Sequence, residues 1–195
     1  MELAYPIAID LGLSVKWSDR NLGASYPKDC GTYFAWGETE PKVAYDLDNY
    51  HISDDIFELE HLHIISSDRS RNLHATYDAA TVNWGKTWRM PTMEEVQELS
   101  NKCTWKQTEK SGMKGYEIYG ANNNSIFLPA IGYRSGTSFR MTNSLLYWSS
   151  TLCPTHTSYC AYILYAYLSQ STTTYYNRCF GLPIRPVSPS RYGQS

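Results

Sequence analysis

Gly, Asn and Ser interrupt this chain about every ten residues, and only one stretch, after Pro91, keeps a convincing helical period. A chain punctuated this way can build many short strands but few helices. Its 17 tyrosines and 6 tryptophans suit pleated, half-buried surfaces. The expected class is α+β, with mixed antiparallel sheets, one or two short helices and long loops. At 195 residues the chain has the size of one domain, and a single domain over 1–195 is expected.

Residues 7–12 (IAIDLG) and 13–17 (LSVKW) read as a hairpin turning near Gly12, and a third strand is expected at 32–36. From 45 to 71, seven acidic residues stand against two basic ones without a clear period. This stretch reads as a long surface excursion with one short element around 56–65. The best helix follows Pro91. There Thr92 and Glu95 form a capping box, and Met93, Val96, Leu99 and Cys103 make an apolar stripe that should end near Lys102. A shorter helix is expected after Asp78, an acceptable N-cap for residues 79–82. Residues 104–108 and 116–119 flank 111–115 as a hairpin. Further strands are expected at 125–128, 146–150, 160–168 and 183–187.

With 17 Lys and Arg against 19 Asp and Glu, the chain lacks the positive field of a sequence-independent nucleic-acid binder, so nucleic acid is not an expected partner. No run reaches the roughly 18 to 20 apolar residues of a membrane span, and direct membrane insertion is not expected. The start, MELAYPIAID, has no basic region followed by an apolar one and therefore no signal peptide, although a mature fragment would begin in the same way.

The five cysteines, Cys30, Cys103, Cys153, Cys160 and Cys179, fit no CxxC or Cys/His zinc pattern, and an odd number cannot pair completely. Glu60-His61-Leu62-His63 would set two histidines on one side of a strand. No four-ligand set accompanies them, and a solvated loop is the preferred reading. Asp78, Glu94 and Glu95 invite an acid–base role, but capping accounts for all three. No catalytic residue, metal or cofactor is expected.

Segment 153–180 is chemically odd. Only Arg178 in it carries a charge, although about a quarter of the residues in a typical domain do. Within 160–168, alternation puts Leu164, Ala166 and Leu168 on one face, assigned to the core. Ile163, Tyr165 and Tyr167 fall on the other face, assigned to a ligand. Tyr, Ser, Thr and Asn are what antibody-like surfaces favour, because Tyr offers rigid amphipathic area and the small polar residues offer adaptable hydrogen bonds. An exposed Thr- and Tyr-rich sheet would have the same composition, since these are ordinary strand formers.

Seven blocks add a resemblance. Residues 10–17 (DLGLSVKW), 33–42 (YFAWGETEPK), 78–85 (DAATVNWG), 88–92 (WRMPT), 127–130 (FLPA), 147–150 (YWSS) and 184–187 (IRPV) occur in order over nearly the whole chain. They resemble the major paralogous domain of Fibrobacter and Bacteroides. That family is similar to the formylglycine-generating branch of C-type-lectin-like folds, which includes the variable proteins of diversity-generating retroelements. The resemblance implies a C-type-lectin-like domain whose last part is rewritten at Asn codons while the scaffold stays fixed. Arg20 stands where the family's pattern has a cysteine within Trp-x-x-Cys-Asn, so no pairing of Cys30 is carried over. Neither Glu-Pro-Asn nor Gln-Pro-Asp followed by Trp-Asn-Asp occurs, so a calcium lectin is not implied.

Rewriting the first two bases of an Asn codon can never yield Trp, Gln, Glu, Lys or Met. Every residue of 153–180 obeys this except Gln170. The expected ligand-binding residues are Cys153, Thr155, His156, Ser158, Tyr159, Cys160, Ile163, Tyr165, Tyr167, Ser169, Thr172, Thr174, Tyr175, Tyr176, Cys179 and Phe180. Cys153, Cys160 and Cys179 are favoured as by-products of codon rewriting over a metal site or a disulfide with a spare thiol. Trp17, Trp36, Trp84, Trp88 and Trp148 sit in scaffold blocks and read as core, while Trp105 lies outside them.

The expected function is a non-enzymatic receptor or adhesin domain on a bacterial surface or phage particle, binding an unknown protein or glycan. A fixed-specificity adhesin or pilus module is the alternative, and an enzyme of the formylglycine-generating type is less favoured. Sequencing codons 147–187 across isolates should find changes concentrated at positions such as Cys153, Tyr159, Tyr165 and Cys179, with Trp148 and Arg185 untouched. An invariant segment would point to the fixed-specificity module.

Overall fold

A computed structural model describes residues 5–153, 159–168 and 170–190. In chain order its elements are β1 (Ala8–Ile9), β2 (Val15–Ser18), β3 (Tyr33–Phe34), a 3-10 turn at Leu47–Asn49, α1 (Ile56–His61), α2 (Ala79–Trp84) and α3 (Met93–Lys102). There follow β4 (Thr104–Lys110), β5 (Met113–Tyr119), β6 (Ser125–Pro129), β7 (Tyr133–Ser135), β8 (Ser138–Arg140) and β9 (Leu145–Leu152). The last are β10 (Cys160–Tyr167), β11 (Gln170–Asn177), β12 (Leu182–Pro183) and β13 (Val187–Pro189). Every strand pair is antiparallel, in the orders β1-β2-β13, β4-β5-β6, β11-β10-β9, β12-β3 and β7-β8. The expected mixed antiparallel sheets with few helices are present.

The helix starts follow local chemistry. Asp78 accepts from the backbone N–H of Thr81 at 2.9 Å and of Met90 at 2.8 Å, so one buried carboxylate caps α2 and holds the segment leading to α3. Burial pushes this carboxyl's pKa up, against the pull of its hydrogen bonds. At α3 the capping box is complete: Thr92 Oγ1 accepts from Glu95 N, and Glu95 Oε2 accepts from Thr92 N at 2.8 Å. Val96 and Leu99 on its apolar stripe are fully buried.

Three expectations are corrected. The short element expected around 56–65 is present as a helix, α1, begun by the Asp55 side chain on Phe57 N; it makes three helices where one or two were expected, and with Glu60 and His61 helical no strand pairs His61 with His63. Residues 183–187 do not form one strand, because Ile184, Arg185 and Pro186 separate β12 from β13. Leu168, assigned to the core, is 58% exposed and turns with φ 55° at the β10–β11 connection. The β7–β8 hairpin and strand β11 were not among the expected elements.

Every residue of β9 is buried, and its two faces serve two cores. Leu146, Trp148 and Leu152 join Trp36, Leu59, Ile65, Met90 and Ile163 in the first. Leu145 and Tyr147 join Trp17, Leu99, Ile118, Leu128 and Leu164 in the second. Two indoles lock the wall: Trp148 Nε1 donates to Phe34 O at 2.8 Å, and Trp36 Nε1 donates to Ser149 O at 3.0 Å. The fully buried Arg185 donates to Ser18 O and Phe127 O, tying β2 to β6. Trp17, Trp36, Trp88 and Trp148 are core as expected, whereas Trp84 is half-buried and meets Trp88 edge-on at 5.5 Å. Among the described residues no helix is long and apolar enough to cross a membrane.

Trp148→Ala should therefore cost about 3–5 kcal/mol, on the order of 10 °C in Tm. Thr92→Ala, which removes only a cap, should cost about 1 kcal/mol. Thermal unfolding followed by circular dichroism ranks the two, and equal losses would mean that β9 is not the shared wall.

Candidate functional site

Within segment 153–180, β10 and β11 pair as an antiparallel hairpin, with β11 at the edge of its sheet. The register sets Ala161 opposite Tyr176, Ile163 opposite Thr174 and Tyr165 opposite Thr172. Alternation does place Ile163, Tyr165 and Tyr167 on one face, but that face is not all free. Ile163 lies across from Trp148 in the first core and is fully buried. Tyr165 emerges half-buried, and Tyr167 is 49% exposed.

Three of the expected binding residues are corrected by burial. Ile163, Cys153 and Cys179 are covered by the packed core, so their side chains cannot form an open face. Cys160, Thr174, Tyr176 and Phe180 are half-buried, while Tyr159, Tyr167, Thr172 and Tyr175 are exposed. Thr155, His156, Ser158 and Ser169 lie outside the described residues. The described members fall into separate neighbourhoods rather than one surface.

The first neighbourhood is an open groove of about 540 Å³ where α3 passes into β4. Tyr165, Tyr167, Ser171 and Thr172 line one side, and Ser100, Cys103 and Trp105 line the other. Trp105 Nε1 donates to Leu99 O at 3.3 Å, and its ring meets Tyr116 edge-on at 5.7 Å, so the indole is fixed in place. No lining side chain is charged. Sequence alone does not assign Trp105, because its partners across the groove are some sixty residues away in the chain and no local pattern connects them.

The second is an aromatic trio. Tyr176 lies 4.9 Å from Tyr133 and 5.6 Å from Phe180, and Tyr133 lies 5.3 Å from Phe180. Burial, together with the neighbouring Tyr133 hydroxyl, pushes the Tyr176 pKa well up. These rings pack mainly on one another and on the first core.

The third lies at the other end of the hairpin. There Tyr159, Asn177 and Arg178 meet residues 47–54 around a smaller recess. Arg178 is the one charged residue of the segment, and its oddity was visible in sequence, although its burial was not.

No disulfide joins any of the five cysteines, all of which lie among the described residues. Burial raises the pKa of Cys30, Cys160 and Cys179, and pushes Cys103 up to about 11, which keeps these sulfurs protonated near neutral pH. Among the described residues no group of three or more His, Cys, Asp and Glu is placed to hold a metal ion. Compared with family models, with curated proteins and with solved structures, the chain shows no significant match in any of the three.

The burial pattern has a direct test by chemical denaturation. Ile163→Ala should cost about 2–5 kcal/mol, and Tyr167→Ala should stay within about 0.5 kcal/mol. The reverse ranking would return Ile163 to the exposed face.

Proposed function

We propose that this chain is a non-enzymatic ligand-binding domain of the C-type-lectin-like kind, with segment 153–180 supplying much of a diversified binding surface. The observation that carries this reading is the groove of Trp105, Tyr165 and Tyr167 beside Ser100, Ser171 and Thr172. It combines aromatic surface with small hydroxyls and no charge, the chemistry that suits adaptable recognition. The scaffold blocks support the division of labour. Trp17, Trp36, Trp148 and Arg185 are fully buried, so a rewritten hairpin end could vary without disturbing them.

Display on a bacterial surface or a phage particle belongs to the same reading, and a fixed-specificity adhesin would use the same groove. A formylglycine-generating type of enzyme needs reactive thiolates, and the raised thiol pKa values weigh against that alternative.

The test immobilises the chain and measures capture of glycans and surface proteins from its source. Tyr167→Ala should weaken capture by about tenfold or more, the scale of a binding hot spot, with little change in Tm, whereas Trp105→Ala should weaken capture and also lower Tm, because the indole packs on the second core. Cys153→Ser, Cys160→Ser and Cys179→Ser should leave capture intact. Thiol-dependent turnover that disappears in those cysteine variants would replace the receptor reading with the enzyme.

A further inference from the structure

We propose that the recess between residues 47–54 and the end of β11 binds a small carboxylate through the guanidinium of Arg178. The recess has a volume of about 290 Å³ and is lined in part by Tyr50, Ser53, Asp54, Tyr159, Asn177 and Arg178. This site does not rest on the aromatic groove proposed above, which lies at the opposite end of the hairpin.

Arg178 is only 1% exposed. Its Nη2 donates to Ser53 O at 2.7 Å, and its guanidinium carbon lies 5.4 Å from the Trp36 ring and 5.6 Å from the Tyr50 ring. Its Nε and Nη1 have no hydrogen-bond acceptor among the described residues, and no carboxylate there forms an ion pair with it. Aromatic faces and one carbonyl offset part of the cost of burying a cation, but unmatched donors keep the rest.

Arg185 makes a useful contrast. It is equally buried, yet both of its terminal nitrogens find backbone carbonyls and only Nε lacks a partner. Arg178 has two unmatched nitrogens, and Ser53 and Tyr50, which hold its guanidinium, both belong to the wall of a recess.

The surroundings select the anion. Rings cover the guanidinium, which favours a ligand group that shares its plane, and a carboxylate does so while accepting more than one N–H. Asp54, an exposed carboxylate on the same recess, takes a hydrogen bond from the Tyr159 hydroxyl and acts electrostatically on Arg178. Asp54 offsets the charge of Arg178, so an anion here is held mainly by the geometry of the guanidinium's donors, and Asp54 weakens its binding. The volume falls just below the roughly 300–1,000 Å³ of ordinary small-molecule sites, so the ligand is no larger than about a monosaccharide.

The test titrates the full chain with glucuronate, benzoate and neutral glucose, followed by calorimetry and tryptophan fluorescence. At least one of the two acids should bind, with affinity falling as salt rises, and glucose should not bind. Binding of glucuronate alone identifies an acidic sugar; binding of both acids identifies the carboxylate itself as sufficient. Arg178→Met should abolish binding. Asp54→Asn, at an exposed position that keeps the fold, should tighten it about two- to fivefold and carries the test if Arg178→Met does not fold. The proposal is overturned if neither acid binds, if glucose binds as well as the acids do, or if Asp54→Asn leaves the affinity unchanged. Tyr167→Ala should leave this titration as it was, so a failed titration would leave the groove reading standing.

Discussion

β9 is buried along its whole length, so each of its faces has to be matched by a separate set of side chains. One set is gathered from α1, α2, β3 and β12, the other from α3, β2, β5 and β6. The polar groups that such a strand carries inward cannot be left bare. Ser149 Oγ donates to Tyr162 O, Thr151 Oγ1 bonds Asn72, and Trp36 reaches over to Ser149 O. Packing on both sides and hydrogen bonding within the wall make β9 a fixed reference from which the hairpin beyond it projects.

The local elements were legible where chemistry is local. The cap of Asp78, the capping box of Thr92 and Glu95, and the turn at Ser111 and Gly112 each depend on residues a few positions apart. Two-sided burial depends on partners that sequence does not adjoin. The signal for it was nonetheless present, because residues 161–168 form an almost unbroken apolar run, the pattern of a strand covered on both faces. Treating that run as an alternating, one-sided strand put Ile163 on the surface. β11 was harder to see: its Ser, Thr, Tyr and Asn belong as readily to a loop as to an edge strand, and only pairing with β10 decides.

The candidate site was legible as a segment and not as a shape. Composition marked 153–180, but folding distributes it among an uncharged groove, a self-packed aromatic trio and a recess around one cation. All three are completed by residues outside the segment: Trp105 from β4, Tyr133 from β7, and Tyr50 with Ser53 from the acidic excursion. That excursion, read as a surface loop, in fact contributes Leu59, Ile64 and Ile65 to the first core and a wall to the recess. A rigid scaffold thus presents the hairpin between two flanks of quite different electrostatic character.

The pairing of β2 with β13 sets Trp17 opposite Val187, and β3 likewise waits for β12. On the ribosome, the segments holding these early strands would emerge long before their partners exist. Core partners of Trp17 and Phe34 arrive along the way, but their strand partners in β13 and β12 come only when almost the whole described chain has been synthesised, so these sheets cannot close stepwise from the start. Folding of this domain is therefore tied to completion of its synthesis, and any factor that shields nascent apolar surface would act on it during that interval.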